Sequence, residues 1–181
     1  SGYAPQGQVC AETGGSAALA GGVRVATLGL LCNDARLYRE GTDWRVIGDP
    51  MEGALLALAG KTGLDAAAIA RLHPRLDEVP FDARHRFMAT LHADGDGDGD
   101  GALVCVKGAP EQVLALSRAQ AAADGSEVPL DTRAWQRAVE EAGAEGQRVL
   151  AFAWRRLGQP PAHFAREDVH GLVLAGIVGF I

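Results

Sequence analysis

Phe87-Met88-Ala89-Thr90-Leu91-His92 and Ala102-Leu103-Val104-Cys105-Val106-Lys107 flank the repeat DGDGDGDG at positions 94–101. Both flanks have the apolar and β-branched composition of strands. Chain rich in Asp and Gly between two such runs reads as a hairpin loop, which sets the two strands antiparallel and side by side. A central hairpin disfavours a doubly wound parallel sheet, and helices and strands elsewhere do not alternate regularly. The expected class is α+β, an antiparallel β-sheet flanked by helices.

The alternating carboxylates of the repeat also invite a calcium-loop reading. An EF-hand loop needs a bidentate Glu at its twelfth position. Counted from Asp94, that position is Cys105, so specific calcium binding is not expected and a long hairpin loop is preferred.

On the N-terminal side, residues 23–35 run mostly apolar through Ala26, Leu28, Leu30 and Leu31, long enough for a largely buried helix. Leu37-Tyr38 and 44–47 bracket Glu40-Gly41-Thr42-Asp43, which suits two short strands around a turn. Asp49-Pro50-Met51-Glu52 is a helix start. Asp49 can be the cap, Pro50 sits where its missing N–H costs nothing, and Glu52 falls three residues after the cap, as in a capping box. That helix should end at Gly63, and a second, over 65–72, should stop before Pro74. On the C-terminal side, Pro110-Glu111 opens a helix expected to reach about Ala122. Asp131 caps another towards Glu145, 148–155 forms a strand, and 172–181 forms the last strand.

The 181 residues, 48% hydrophobic and 22% charged, suit a single folded domain rather than a disordered chain. A net charge of -6 repels polyanions, so no nucleic-acid role is expected. Cys10, Cys32 and Cys105 are odd in number and widely spaced, which favours free thiols over a disulfide framework. No apolar run approaches the roughly 20 residues of a membrane span. The chain opens without Met and stops within an apolar pattern, so a piece of a longer protein, soluble by itself and monomeric, is the starting expectation.

Three constellations could carry chemistry. Lys107-Gly108-Ala109-Pro110-Glu111 puts an ammonium at a strand end beside backbone with no Cβ, a geometry suited either to a ligand or to a plain strand-to-helix turn. Phe81, just after Pro80, is followed by Arg84 and Arg86, a stacking face with cations nearby or else a core ring with exposed arginines. Arg148 opens another strand, where its fork could grip a phosphate or ribose oxygen or else serve as a surface salt-bridge partner. The histidines show no HExxH spacing and the cysteines no nucleophile signature, so autonomous catalysis has little support.

Taken together, Gly2-Tyr3-Ala4-Pro5-Gln6-Gly7, Leu31-Cys32-Asn33-Asp34-Ala35, Gly48-Asp49-Pro50-Met51-Glu52-Gly53-Ala54-Leu55, Val79-Pro80-Phe81-Asp82, Met88-Ala89-Thr90, Lys107-Gly108-Ala109-Pro110-Glu111 and Arg148-Val149-Leu150 resemble the nucleotide-binding domain of P-type cation-transporting ATPases. The likeness is to the type II group, which includes calcium and sodium/potassium pumps, and it runs in order over nearly the whole chain. It implies an antiparallel sheet with helices, inserted in the cytoplasmic catalytic unit of a membrane protein, that carries ATP to an aspartate on a separate phosphorylation domain. By the resemblance Phe81 stacks on adenine, Lys107 lines the base of the adenosine pocket with Gly108 beside it, and Glu52 lies at its polar edge. Arg86 matches a basic position near the nucleotide, Met88 a pocket wall, and Arg148 a position reaching towards the phosphates.

Met51 and Arg86 stand where Thr and Lys are common in that family. His73-Pro74 echoes a pair used by heavy-metal pumps but lacks its context, and reads here as a helix end. The family's Asp-Lys-Thr-Gly-Thr segment and magnesium-binding aspartates are not in this sequence. The resemblance therefore implies ATP binding without efficient hydrolysis, with Mg2+ met mainly through the phosphorylation domain and with phosphorylation and actuator domains of one parent chain as partners. A regulatory domain that kept the fold and lost the ligand, and a stand-alone hydrolase, remain the alternatives.

Overall fold

A computed structural model describes residues 2–10, 15–95 and 99–181. The middle of the acidic repeat, 96–98, and part of the Gly-rich opening, 11–14, lie outside these. The elements run α1 (Gly15–Leu31), β1 (Arg36–Glu40), β2 (Asp43–Ile47), α2 (Pro50–Lys61), α3 (Ala66–Leu72), β3 (Arg75–Val79), β4 (Phe87–Ala93) and β5 (Ala102–Gly108). They continue with α4 (Pro110–Leu116), β6 (Ser117–Ala121), β7 (Glu127–Pro129), α5 (Thr132–Ala144), β8 (Arg148–Leu157) and β9 (Leu172–Phe180). The fold is α+β: a seven-stranded sheet in the order β3-β4-β5-β8-β9-β6-β7, with β1 and β2 as a separate hairpin.

The central hairpin is present, with Phe87 opposite Gly108 through to Ala93 opposite Ala102. Both of its strands are buried on both faces, which is why their sequences run apolar instead of alternating. On one face Phe87, Ala89, Leu91, Val104 and Val106 join Val113, Phe164, Leu172 and Leu174 in a core beneath α4. On the other, Met88, Leu103, Cys105 and Phe152 pack against Val25, Leu28 and Leu31 of α1 and Leu55 of α2. Adjacent strand residues thus serve two different cores.

Local chemistry sets the helix ends. Asp49 accepts from the N–H groups of Met51 and Glu52, Pro50 fills the first turn, and Gly63 turns the chain at φ +79°. Asp65 and Asp131 cap α3 and α5 through the N–H groups of Ala68 and Ala134. Gly53 lets α2 lie on β2, because a Cβ there would come within 2.3 Å of the Val46 side chain.

Two expectations about single elements need correction. The first helix spans Gly15–Leu31 rather than 23–35, beginning in small residues that carry little apolar signal. The helix opened by Pro110 stops at Leu116, and Ser117–Ala121 is a strand instead of its continuation. That strand pairs parallel with β9 and antiparallel with β7, so ladder bonds on both sides override the weak helical preference of Ser-Arg-Ala-Gln-Ala. The β6–β9 pair is also the one parallel pairing among the described strands of an otherwise antiparallel sheet. Among the described residues no single helix is long and apolar enough to cross a membrane.

Candidate functional site

Strand register builds the site. Met88 is opposite Lys107 on β4 and β5, and Lys107 is opposite Phe152 on β8, so Met88, Lys107, Leu150 and Arg148 share one end of one sheet face. Alternation by two along β8 carries the row outward to Arg148, which is exposed at the strand start. The N-terminus of α2 closes one side with Met51 and Glu52, and Phe81 stands at the rim. The result is a cleft of about 250 Å3.

Its floor is an ion pair. The Lys107 side chain is almost fully buried, and its ammonium donates to Glu52 Oε1 and, at 2.5 Å, to the Cys32 carbonyl. Glu52 Oε2 accepts from the Asp34 N–H at 3.1 Å. Buried charges persist only when paired and hydrogen-bonded, and here each has its partner. Asn33 secures the approach, donating to the carbonyls of Gly29 (2.9 Å) and Glu52 (3.0 Å) and accepting from the Ala35 N–H. Leu31-Cys32-Asn33-Asp34-Ala35 is thus a bracket for the Lys107–Glu52 pair. This also corrects the capping-box expectation: Asp49 makes its half, but the Glu52 carboxylate turns into the cleft instead of back to the cap.

The walls are apolar. Met88 is buried, Met51 and Leu150 are half-buried, and Phe81 is 63% exposed, the most exposed aromatic ring among the described residues. The loop after Phe81 is braced by its own bonds. Asp82 accepts from the Arg84 N–H at 2.7 Å and from its guanidinium at 3.1 Å, and the Asp82 carbonyl accepts from the Arg86 N–H. The Arg84 side chain holds the Asp82 carboxyl well below the usual carboxylate range.

Of the residues singled out from sequence, Glu52, Phe81, Met88, Lys107, Gly108 and Arg148 all line the cleft. Arg86 does not: its guanidinium pairs with Glu111 at 2.7 Å, and its backbone takes a left-handed φ of +54° to turn the loop into β4. Gly108 has a packing reason for lacking a Cβ, because one there would meet the Arg86 carbonyl at 2.5 Å and Phe87 Cβ at 2.6 Å. The backbone-approach reading of this glycine is corrected accordingly: the close neighbour is β4. His73-Pro74 is indeed a helix end, His73 being the C-cap of α3.

Sequence reasoning missed the Cys32 carbonyl, Asn33 and Leu150 as individual contributors. It also missed Arg75, whose bonds to the 31–34 segment join residues more than forty positions apart. Cys32 and Cys105 are buried, and desolvation pushes both thiols up, which suits packing and not nucleophilic chemistry. Among the described residues no group of three or more His, Cys, Asp or Glu side chains is placed to hold a metal ion.

A larger, shallower cleft of about 470 Å3 lies at the other end of the same face. There Arg24 lies over the Trp154 ring at 5.7 Å, Arg156 pairs with Asp94 at 3.4 Å, and Glu127 pairs with Arg118 at 2.6 Å. Arg156 and Glu127 are thus engaged with Asp94 and Arg118, and Arg24 with the indole. Among the described residues, only the smaller cleft combines an exposed aromatic face, apolar walls and a buried ion pair, the usual build of a small-molecule site.

Residues 23–181 match the family model described as P-type ATPase, cytoplasmic domain N. The chain is 42% identical over 156 residues to a cation-transporting ATPase of Synechocystis, covering 84% of this chain and 16% of that protein. It is 38% identical over 150 residues to a probable cation-transporting ATPase of Mycobacterium tuberculosis, covering 82% of this chain and 16% of that protein. With a calcium-transporting ATPase of Listeria monocytogenes it shares 29% identity over 161 residues, covering 87% of this chain and 17% of that protein. The chain therefore spans about one sixth of the length of these relatives.

Proposed function

The chain belongs to the family of cytoplasmic N domains of P-type ATPases, and on that premise we propose that it binds ATP in the cleft between Phe81 and Lys107 and presents it to a phosphorylation domain of the same parent polypeptide. The observation that carries the reading is an exposed Phe81 ring facing apolar walls above a buried Lys107–Glu52 pair. A flat heteroaromatic base suits this arrangement: it buries the ring face that water now covers and offers polar edges to the floor.

Phe81 stacks on adenine, with Met88 and Leu150 as the apolar surface beneath it. Glu52, held by Lys107 and the Asp34 N–H, keeps acceptor capacity for an exocyclic amine. Lys107 fixes that carboxylate and defines the bottom of the pocket. A volume of about 250 Å3 is below the range of about 300–1,000 Å3 for drug-sized ligands. It admits a base with part of its sugar and leaves the triphosphate outside, along the exposed Arg148. Arg86, engaged with Glu111, acts at most at longer range.

The parent protein, on this reading, is a cation-transporting ATPase with this domain on the cytoplasmic side of a membrane. In-line phosphoryl transfer needs an acceptor and magnesium, and both belong to the phosphorylation domain. The 181-residue chain is one domain that binds nucleotide as a monomer and does not hydrolyse it efficiently. With half of the triphosphate's contacts missing, the expected Kd is about 0.1–1 mM, roughly 4–5.5 kcal/mol. Calorimetric titration with ATP tests this. Binding in that range without magnesium-dependent phosphate release supports the proposal, and no heat of binding at 5-fold higher ATP, about 5 mM, refutes it.

A further inference from the structure

Arg75 is not among the residues lining the cleft, yet its guanidinium ties the cleft's two arms together. Nη1 donates to Asp34 Oδ1 at 2.7 Å and to Glu78 Oε2 at 2.8 Å. Nη2 donates to the Leu31 carbonyl at 3.1 Å and the Asn33 carbonyl at 2.8 Å. Two of these acceptors are backbone atoms of the 31–34 segment, whose Cys32 carbonyl accepts from Lys107 and whose Asp34 N–H donates to Glu52. Another, Glu78, lies on β3, the strand that leads through Val79 and Pro80 to Phe81.

We infer that Arg75 is a positioning residue of the nucleotide site: its fork locks the segment bracketing the Lys107–Glu52 floor to the strand that carries the Phe81 ring, and so fixes the gap into which a base slides. The inference rests on the ATP-binding reading above and deepens it. A planar guanidinium reaches two carboxylates and two carbonyls at once, which the compact ammonium of Lys does not do. A displacement of even 1 Å between stacking face and floor is costly to a ligand held by contact on both sides. Arg75 touches no phosphate-binding group, so its effect belongs to the base end of the ligand.

The test is to titrate the wild-type chain, Arg75→Met and Arg75→Lys with adenosine, ADP and ATP, following melting temperature in parallel. Arg75→Met is expected to weaken all three ligands alike, by about tenfold, and Arg75→Lys to recover less than half of that loss on a logarithmic scale. In a Phe81→Ala background the further loss from Arg75→Met should fall below about twofold, because the ring it positions is gone. Unchanged affinity in Arg75→Met overturns the inference. So does a loss that grows from adenosine to ATP, which marks a phosphate contact, or a full loss persisting without Phe81. Should Arg75→Met fail to fold, Asp34→Ala and Glu78→Ala each remove one arm and are expected to weaken adenosine binding about two- to fourfold; unaltered binding in both overturns it. A wild-type chain that binds none of the three ligands defeats the ATP reading itself, whereas wild-type binding with an indifferent Arg75→Met defeats this inference alone.

Discussion

Replacing Phe81 by Ala should separate binding from stability. The ring is 63% exposed, so its removal takes little from the core, and the unfolding free energy should change by less than about 0.5 kcal/mol, as for an ordinary surface position. Binding is different. A phenylalanine side chain offers about 150–200 Å2, and at 63% exposure about 100–125 Å2 of it faces water. A base lying on one face covers roughly half of that, about 60 Å2, worth about 1.5 kcal/mol at about 25 cal/mol per Å2. Ring–ring stacking adds about 0.5–1.5 kcal/mol, for a total of about 2–3 kcal/mol. Affinity for ATP should therefore drop at least tenfold. Calorimetric titration read beside urea unfolding of the same preparations measures both quantities. An affinity within about twofold of wild type would refute the stacking assignment, and a large loss of stability would show that the ring belongs to the core.

Two further predictions concern the interior. Lys107→Met leaves the largely buried Glu52 carboxylate with only the Asp34 N–H as a partner at the cleft floor. A loss of about 2–3 kcal/mol is expected, below the 3–5 kcal/mol of a fully buried broken pair because the Glu52 side chain keeps 15% exposure. Adding Glu52→Gln should restore about 1 kcal/mol, and denaturant midpoints showing no loss in the single variant would count against a structural pair. The second concerns His92, a buried ring that donates from Nδ1 to the His73 carbonyl at 2.9 Å and accepts at Nε2 from Thr90 Oγ1 at 2.8 Å. Burial, with Arg75 nearby, pushes its pKa down to about 4 from the ordinary 6.5. The native ring refuses the proton that the unfolded chain takes up, so stability present above pH 6.5 is lost as pH falls towards 4, by about 3 kcal/mol for this group. His92→Gln should reduce that loss by more than about 1.5 kcal/mol between pH 7 and pH 4; an equal loss in both proteins would sink the claim.

What was legible in the sequence followed from local physics. The 87–107 hairpin, the Asp49-Pro50 helix start and the terminating Gly63 and Gly146 each declare themselves within a few residues, and the structure has them in place. Ser117–Ala121 did not, because nothing in Ser-Arg-Ala-Gln-Ala favours a strand; its conformation comes from pairing with β7 across a short turn and with β9, which is distant in sequence. In the cleft, Phe81, Met88, Lys107, Glu52, Gly108 and Arg148 were readable together because short motifs name them, and strand register brings them to one end of one face. Arg86 sat in the right motif, but its side chain found Glu111, a partner no spacing rule selects. Arg75 had no motif at all, since its four acceptors lie in two segments separated by a hairpin and two helices.

The most direct test of the central claim is a residue-resolved NMR titration of the wild-type chain with ATP up to millimolar concentration. The account predicts saturable shifts concentrated on Phe81, Met88, Lys107 and Leu150 and on the start of α2, with Trp154 and the larger cleft unaffected. Shifts absent throughout, or gathered instead around Trp154 and Arg24, would contradict it.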